Sequence, residues 1–276
     1  MKKSFFFTLV LTIFLAIIIS LSSCIVAVVD YSESGTVFPK KEFHKSVSFK
    51  PGGTISLDNS NGDIEISGWE QNEVELFANE VKSIPYQRKV RIYGVSYSEP
   101  KIDFEKLDED FIKIKTRSSG RDRENSVFNC LLNVPHSINL EDIRNRRGNI
   151  SISDLYGKAV LGLKEGDLRV ENFSGSLEAS VGIGSVQAEL LDLRNEDEIK
   201  IMTTQGDITL YLQPEVNAQV EASASSGEIS SEFDLKQALP SKKITAQIGQ
   251  GGASLSISTL NGNIKIEKIK ETGRGQ

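Results

Sequence analysis

The stretch "GNISISDLYGKAVLGLKEGDLRVENFSGSLEASVGIGSVQAELLD", Gly148 to Asp192, decides the fold. A glycine opens every ninth residue, at Gly148, Gly157, Gly166, Gly175 and Gly184. The second and fourth residues after each are apolar: Ile150 and Ile152, Ala159 and Leu161, Leu168 and Val170, Leu177 and Ala179, Val186 and Ala188. Such alternation belongs to a strand with one buried face. The units opened by Gly148, Gly166 and Gly184 carry a further apolar residue seven after glycine (Leu155, Phe173, Leu191), whereas Gly157 and Gly175 carry it six after (Leu163, Val181). The true period is therefore eighteen residues, two strands per period.

Paired strands on so short a period, with no helical crossover between them, predict an all-β chain coiled as a β-solenoid, β-helix-like, whose rungs stack about 4.8 Å apart. Ile150, Leu168 and Val186 then form one inward ladder. Glycine solves the corner, where the chain turns through dihedrals that a side chain obstructs. The Asp or Asn after several of these glycines bonds turn backbone.

Working outward, the pattern loosens in both directions. Asp197 holds a glycine place nine before Gly206, which opens "GDITLYL"; later units start at Gly227 ("GEISSEF") and Gly262 ("GNIKIEKI"), with "KITAQIGQGGASLSIS" giving two strands between them. Longer corners, "LRNED", "QPEVN" and "LKQALPSKK", interrupt the beat. Upstream, "NGDIEISGW" matches the first unit type through Gly62, Ile64, Ile66 and Trp69. The runs "EVELFANEV", "KVRIYGVSY", "FIKIKT" and "VFNCLLNVP" read as strands of looser spacing. Residues 46–145 are thus irregular β-structure continuous with a regular solenoid over 146–270.

The run from "CLLNVPHSINLEDIRNRRGNISISDLYGKAVLGLKEGDLRVENFSGSLEAS" through "TTQGDITLYL" and "SSGEISSEF" resembles the "putative adhesin" family of bacterial β-strand-repeat envelope proteins. The shared habit is a strand ending in "VP", then "G-D/N-I-x-I" copies, then "T/S-x-G-D/E-I" units, over about Val47 to Ile269. The resemblance implies a β-helix-like fold and an envelope or surface location, and it brings no catalytic residues to transfer.

The N-terminus supplies an address. "MKK" precedes the uncharged "SFFFTLVLTIFLAIIISLSS", the layout of a secretory signal over residues 1–23. It ends in "LSSC", which resembles the bacterial lipobox and makes Cys24 the acylated residue. The alternative is an uncleaved helical anchor, since Ser4 to Val29 is long enough to span a bilayer. Either way Asp30 onward lies outside the cytoplasm, tethered to a membrane. Residues 24–45, including "DYSESGTVFPKKEFHK", read as a polar tether, and 271–276, "ETGRGQ", as a solvated tail.

The 276 residues, 38% hydrophobic, can bury a real core. A formal charge of -6 gives no footprint for nucleic acid. Two cysteines, Cys24 and Cys130, and two histidines, His44 and His136, exclude a disulfide scaffold and leave little for zinc; no metal and no cofactor is expected. Cys130 sits in "VFNCLLNV", whose alternation groups Phe128, Cys130 and Leu132 on one face, so a buried structural thiol is expected. His136 ends a strand and His44 adjoins the tether, neither in a catalytic arrangement. Asp63, Asp167 and Asp207 follow corner glycines; stacked at one corner they would form an acidic ladder, but the "GGxGxD" calcium repeat is missing and turn residues are expected. "GIGSVQ" and "GQGGAS" lack the lysine and helix of a phosphate loop and read as corners. "RNRRGN", Arg144 to Asn149, is the one compact basic patch, either a contact for an acidic glycan or headgroup or a solvated entry to the first regular rung.

The sequence thus points to a non-catalytic, lipid-anchored envelope module, structural or adhesive, with a protein or glycan ligand it does not identify. A carbohydrate-active β-helix enzyme is the first alternative, and would need carboxylates gathered on one face. An envelope-stress sensor or scaffold binding a protein partner is the second.

Overall fold

The structure, a computed structural model, describes residues 41–82, 101–117, 126–235 and 241–270. The chain is all-β. In order the strands are β1 Lys41–Ser48, β2 Thr54–Asn61, β3 Ile64–Trp69, β4 Glu73–Lys82, β5 Lys101–Asp108 and β6 Phe111–Arg117. There follow β7 Ser126–Pro135, β8 Asn139–Arg147, β9 Ile150–Glu165, β10 Leu168–Ile183, β11 Val186–Leu190 and β12 Glu198–Gln205. The last are β13 Ile208–Leu212, β14 Ala218–Ser226, β15 Ile229–Ser231, β16 Lys243–Ile248, β17 Ala253–Asn261 and β18 Ile264–Lys268.

These strands form two ladders joined through β9 and β10, each of which bends at a corner and runs in both. The first ladder stacks β1, β4, β7, β3, the start of β9, the start of β10, β11, β13, β18 and β15. The second stacks β5, β6, β2, β8, the end of β9, the end of β10, β12, β17, β14 and β16. Their inward residues meet in one core, in which Ile150, Leu168 and Val186 are adjacent and each about fully buried. β10 lies on β9 with Leu168 beside Ile150 and Leu177 beside Ala159, a register of eighteen residues. The next step widens: Ile199 pairs with Leu177 and Ile208 with Val186, because the corner Leu191–Asp197 is longer.

The order of stacking departs from a coil that follows the chain. β2 and β3 insert between the β6–β7 strands and the β8–β9 strands. At the other end β17 and β18 insert between β12–β13 and β14–β15. The first and last units of the repeat therefore have both edges covered, and three of the four ladder ends carry antiparallel partners: β1 and β4 beyond β7, β5 on β6, β16 on β14. At the fourth, β15 meets Ser241 in a single antiparallel bridge. At the first end β1 and β5 also approach each other, Lys106 Nζ donating to the Ser48 carbonyl at 2.9 Å.

Three local expectations are corrected. Lys41–Lys45, read as tether, belongs to β1, held by its antiparallel register on β4 and by Lys45, whose ammonium lies 4.5 Å from the Phe104 ring centre. Leu191 is only half-buried; Phe173 pairs with Leu190, which takes the inward place because β11 lacks the extra residue of β10. Trp69 is half-buried at a turn, its Nε1 donating to the Glu73 carbonyl at 2.9 Å, so the first unit leaves the repeat after Ser67. "KVRIYGVSY", the signal segment and Cys24 lie outside the described residues, as does most of the "LKQALPSKK" corner.

Candidate functional site

The glycines of the beat divide between two corners. In stacking order Gly62, Gly148, Gly166, Gly184, Gly206, Gly262 and Gly227 form one column, and a Cβ on each from Gly148 onward would fall on the carbonyl oxygen of the one before. Gly166, for example, has φ +140° with the Gly148 carbonyl against it. Gly157 and Gly175 form the second column, over Ile138. There Asp197 occupies the next place, 2% exposed, and its carboxylate accepts from the Arg194 backbone N–H at 2.7 Å and from the Arg194 guanidinium at 3.1 Å.

Beside the first column runs a ladder of short polar side chains. Asn129 Oδ1 accepts from the Asp63 N–H (3.0 Å), Asp63 from Asn149 (2.7 Å), Asn149 from Asp167 (2.9 Å) and Asp167 from Ser185 (2.8 Å). Further on, Asp207 accepts from Asn263 (2.7 Å) and Asn263 from Glu228 (3.1 Å). Asp63, Asp167 and Asp207 do stack at one corner, yet Asn149 stands between the first two and Ser185 between the last two. Each spends one oxygen on the backbone of the neighbouring rung rather than on its own turn.

Inside the same corner a row of polar side chains answers carbonyls that the turn aims inward. Asn145 Nδ2 donates to the Gly62 carbonyl (2.7 Å), Thr203 Oγ1 to Gly184 (3.2 Å) and Thr259 Oγ1 to Gly206 (3.0 Å). Leu163 and Val181 stand between Asn145 and Thr203 in this row and bring no donor. Asn145, 3% exposed, leaves its Oδ1 without a partner.

The residues singled out for chemistry lie apart. His44 stacks on Phe77, ring centres 4.2 Å apart, and its Nε2 lies 2.9 Å from Glu75 Oε1. His136 Nδ1 is 2.7 Å from the Asp154 carbonyl, its Nε2 3.5 Å from Glu70. Cys130 is buried, and burial pushes its thiol up to about 12, far from a nucleophile's range. Among the described residues no three His, Cys, Asp or Glu side chains are grouped as metal ligands. In the basic patch Arg144 pairs with Asp142, Arg146 reaches Asn61 Oδ1 at 3.4 Å and Arg147 lies 3.5 Å from Glu165. "GIGSVQ" and "GQGGAS" sit at corners, the second turning from β16 into β17.

Sequence reasoning missed a third bend, where Asp154 and Asn172 take φ +59° and +49° and stack, Asn172 Nδ2 donating to Asp154 Oδ1 at 2.9 Å. Asp and Asn tolerate this left-handed conformation best after glycine, which is the only signal the sequence offers.

Among the described residues, open hollows lie on both outer faces. One, about 600 Å³, lies over the first ladder near its β1 end, where Phe77 and Leu131 pair side by side although both face outward, with Asp63, Glu65 and Asn129 around them. Another, about 530 Å³, lies over the second ladder, floored by Gly162 and Ser180 and edged by Arg144, Arg146, Lys164 and Asp58. Gly162 stands off the nine-residue beat, a signal present in the sequence and passed over.

Residues 38–267 match the family model described as Toastrack DUF4097. The chain belongs to the Toastrack family. Among proteins of curated function none matches it. Several crystal structures are similar to this Toastrack chain. One from Clostridium sporogenes ATCC 15579, described as a "putative cell adhesion protein", shares 18% identity over 83% of this chain and 100% of its own, with a TM-score of 0.48. A "putative adhesin" from Bacteroides fragilis NCTC 9343 shares 12% over 83% and 97%, TM-score 0.28. A "putative lipid binding protein" from Parabacteroides distasonis ATCC 8503 shares 14% over 83% and 97%, TM-score 0.25.

Proposed function

We propose that this Toastrack chain is a non-catalytic interaction module of the bacterial envelope, a two-ladder β-solenoid held to a membrane through lipid on Cys24. The observation that carries the reading is the division of labour among the side chains. The Asx ladder, the glycine columns, both histidines and Cys130 are spent on holding rungs together, and the outward sheet faces, with hollows such as the two described, are what remains for a ligand. Stacked rungs that contact only their neighbours make long flat faces of this kind, suited to a partner rather than to a bound transition state. The "LSSC" motif and the apolar stretch before it support the anchor, and the adhesion names of similar structures agree with an extracytoplasmic place.

Two experiments test it. A palmitate analogue fed to cells should label the wild-type chain and not Cys24→Ser; label that survives the substitution rejects the lipid anchor. Pull-down from the native envelope should recover a partner, and a glycan-cleavage screen should show no turnover. Wild-type cleavage lost in a folded Asp167→Ala chain would make the molecule an enzyme instead.

A further inference from the structure

Gly162 is a glycine with no structural reason. It lies inside β9, its φ is not in the left-handed region, and a Cβ added there would meet only Arg144 Cγ, at 3.7 Å, an ordinary contact. A glycine within a strand costs backbone entropy and leaves nothing to pack, and it marks a bulge, a bend or a place where another molecule comes close. Here the register runs unbroken across the position: Arg144 pairs with Gly162 and Gly162 with Ser180. Close approach is the explanation left.

The surroundings say what approaches. Arg144, Arg146 and Lys164 edge the hollow. Against them stand two carboxylates, Asp58, which Lys115 holds at 2.9 Å, and Asp142, paired with Arg144. Lys164 makes no ion pair among the described residues, and the hydroxyls of Ser60 and Ser180 no hydrogen bond. This is a local excess of positive charge on a chain whose formal charge is -6. Beyond Gly162 the same row continues through Ser180, Met202, Ser258 and Ser223. That is a flat strip of mostly small residues about 20 Å long at the usual strand spacing. Leu163, the one apolar side chain among the described residues that line the hollow, is 4% exposed, so the hollow itself presents a polar surface.

We propose that the hollow over Gly162 binds an anionic envelope polymer whose repeat carries a phosphodiester, laid along the strip with a phosphate between Arg144 and Lys164 and its hydroxyls on Ser60 and Ser180. Guanidinium and ammonium groups meet phosphate oxygens through charge-assisted hydrogen bonds, and the bare glycine lets the chain of the polymer reach the sheet. The proposal rests on the chain being an interaction module and names the ligand of that module.

The test uses the full-length chain in detergent micelles and immobilised poly(glycerol phosphate), with neutral dextran as the reference. The expected result is saturable binding, absent on dextran, that falls at least ten-fold in Gly162→Val and in the Arg144→Gln, Lys164→Gln double variant. Gly162→Val should keep or raise the melting temperature, since a β-branched residue suits an extended strand position; loss of binding then cannot be loss of fold. Binding to the polymer no better than to dextran, or unchanged in Gly162→Val, overturns the proposal. So does competition by soluble glycerophosphoglycerol, a lipid headgroup, as effective per phosphate as the free polymer. An envelope pull-down that still recovers a partner when polymer binding fails would sink this hollow and leave the module standing.

Discussion

At the scale of the residue, the corner column sets the rules. Gly166 needs φ +140° and has no room for Cβ, because the Gly148 carbonyl fills it. Gly166→Val should therefore lose at least about 1–3 kcal/mol from the dihedral alone, read as a lower midpoint of urea unfolding. A variant as stable as wild type would refute the packing described. The column also exposes a weakness. Thr203 and Thr259 donate to the carbonyls of Gly184 and Gly206, but Val181, next to Thr203 in the same inward row, offers nothing to the Gly166 carbonyl. Val181→Thr keeps the shape and adds the matching hydroxyl, so it should stabilise by about 1 kcal/mol where a buried hydroxyl without a partner would destabilise by a similar amount or more. Unfolding midpoints decide the sign. The sequence showed where glycines recur because their spacing is local. It did not show the inward donors, since Asn145, Thr203 and Thr259 gain meaning only from carbonyls in another rung.

At the scale of the element, the strand faces were legible and the partners were not. Alternation foretold that Phe128, Cys130 and Leu132 turn inward, and they are 1%, 3% and 0% exposed. It foretold the eighteen-residue register of β10 on β9, because both rungs belong to one uninterrupted beat. It could not foretell that β2 lies against β6 and β8 at once, for parallel pairing between distant segments leaves no local trace. The Asx ladder shows how elements are stitched. Asp167 in one rung accepts from Ser185 in the next, while its own N–H is held by Asn149. Asp167→Ala should cost about 1 kcal/mol for the lost hydrogen bond, and Asp167→Asn, which keeps Oδ1, should cost little. Equal losses in the two would mean that charge rather than the acceptor matters at this corner. Thermal unfolding of the pair separates the two accounts.

At the scale of the whole molecule, the inserted rungs are the feature that a simple coil lacks. An open parallel ladder presents unpaired edges at both ends, which invite further strands from other chains. Here three of the four ladder ends are finished with antiparallel strands, and the last unit of the repeat is drawn into the stack, with Leu255 between Ile199 and Val220 and Ile264 between Ile208 and Ile229. Because each rung touches only its neighbours, stability in such a stack is close to a sum of local and nearest-neighbour terms. Among the described residues β17 and β18 are thus the strands that pair the β12–β13 rung with the β14–β15 rung, which are otherwise joined by the short connection from β13 to β14. Truncation after Leu235 removes them together with the β16 cap, and it leaves β12 and β13 with a bare edge and β14 and β15 with no stack to join. Amides of β14 and β15 should then lose protection from hydrogen exchange entirely and those of β12 and β13 in part, while the β8, β9 and β10 amides, several rungs away, stay protected. The truncated chain should also associate through its bare edge. If β14 and β15 remain protected in the monomer, they have closed directly onto β12 and β13, and the inserted rung would be an addition to the stack rather than its bridge.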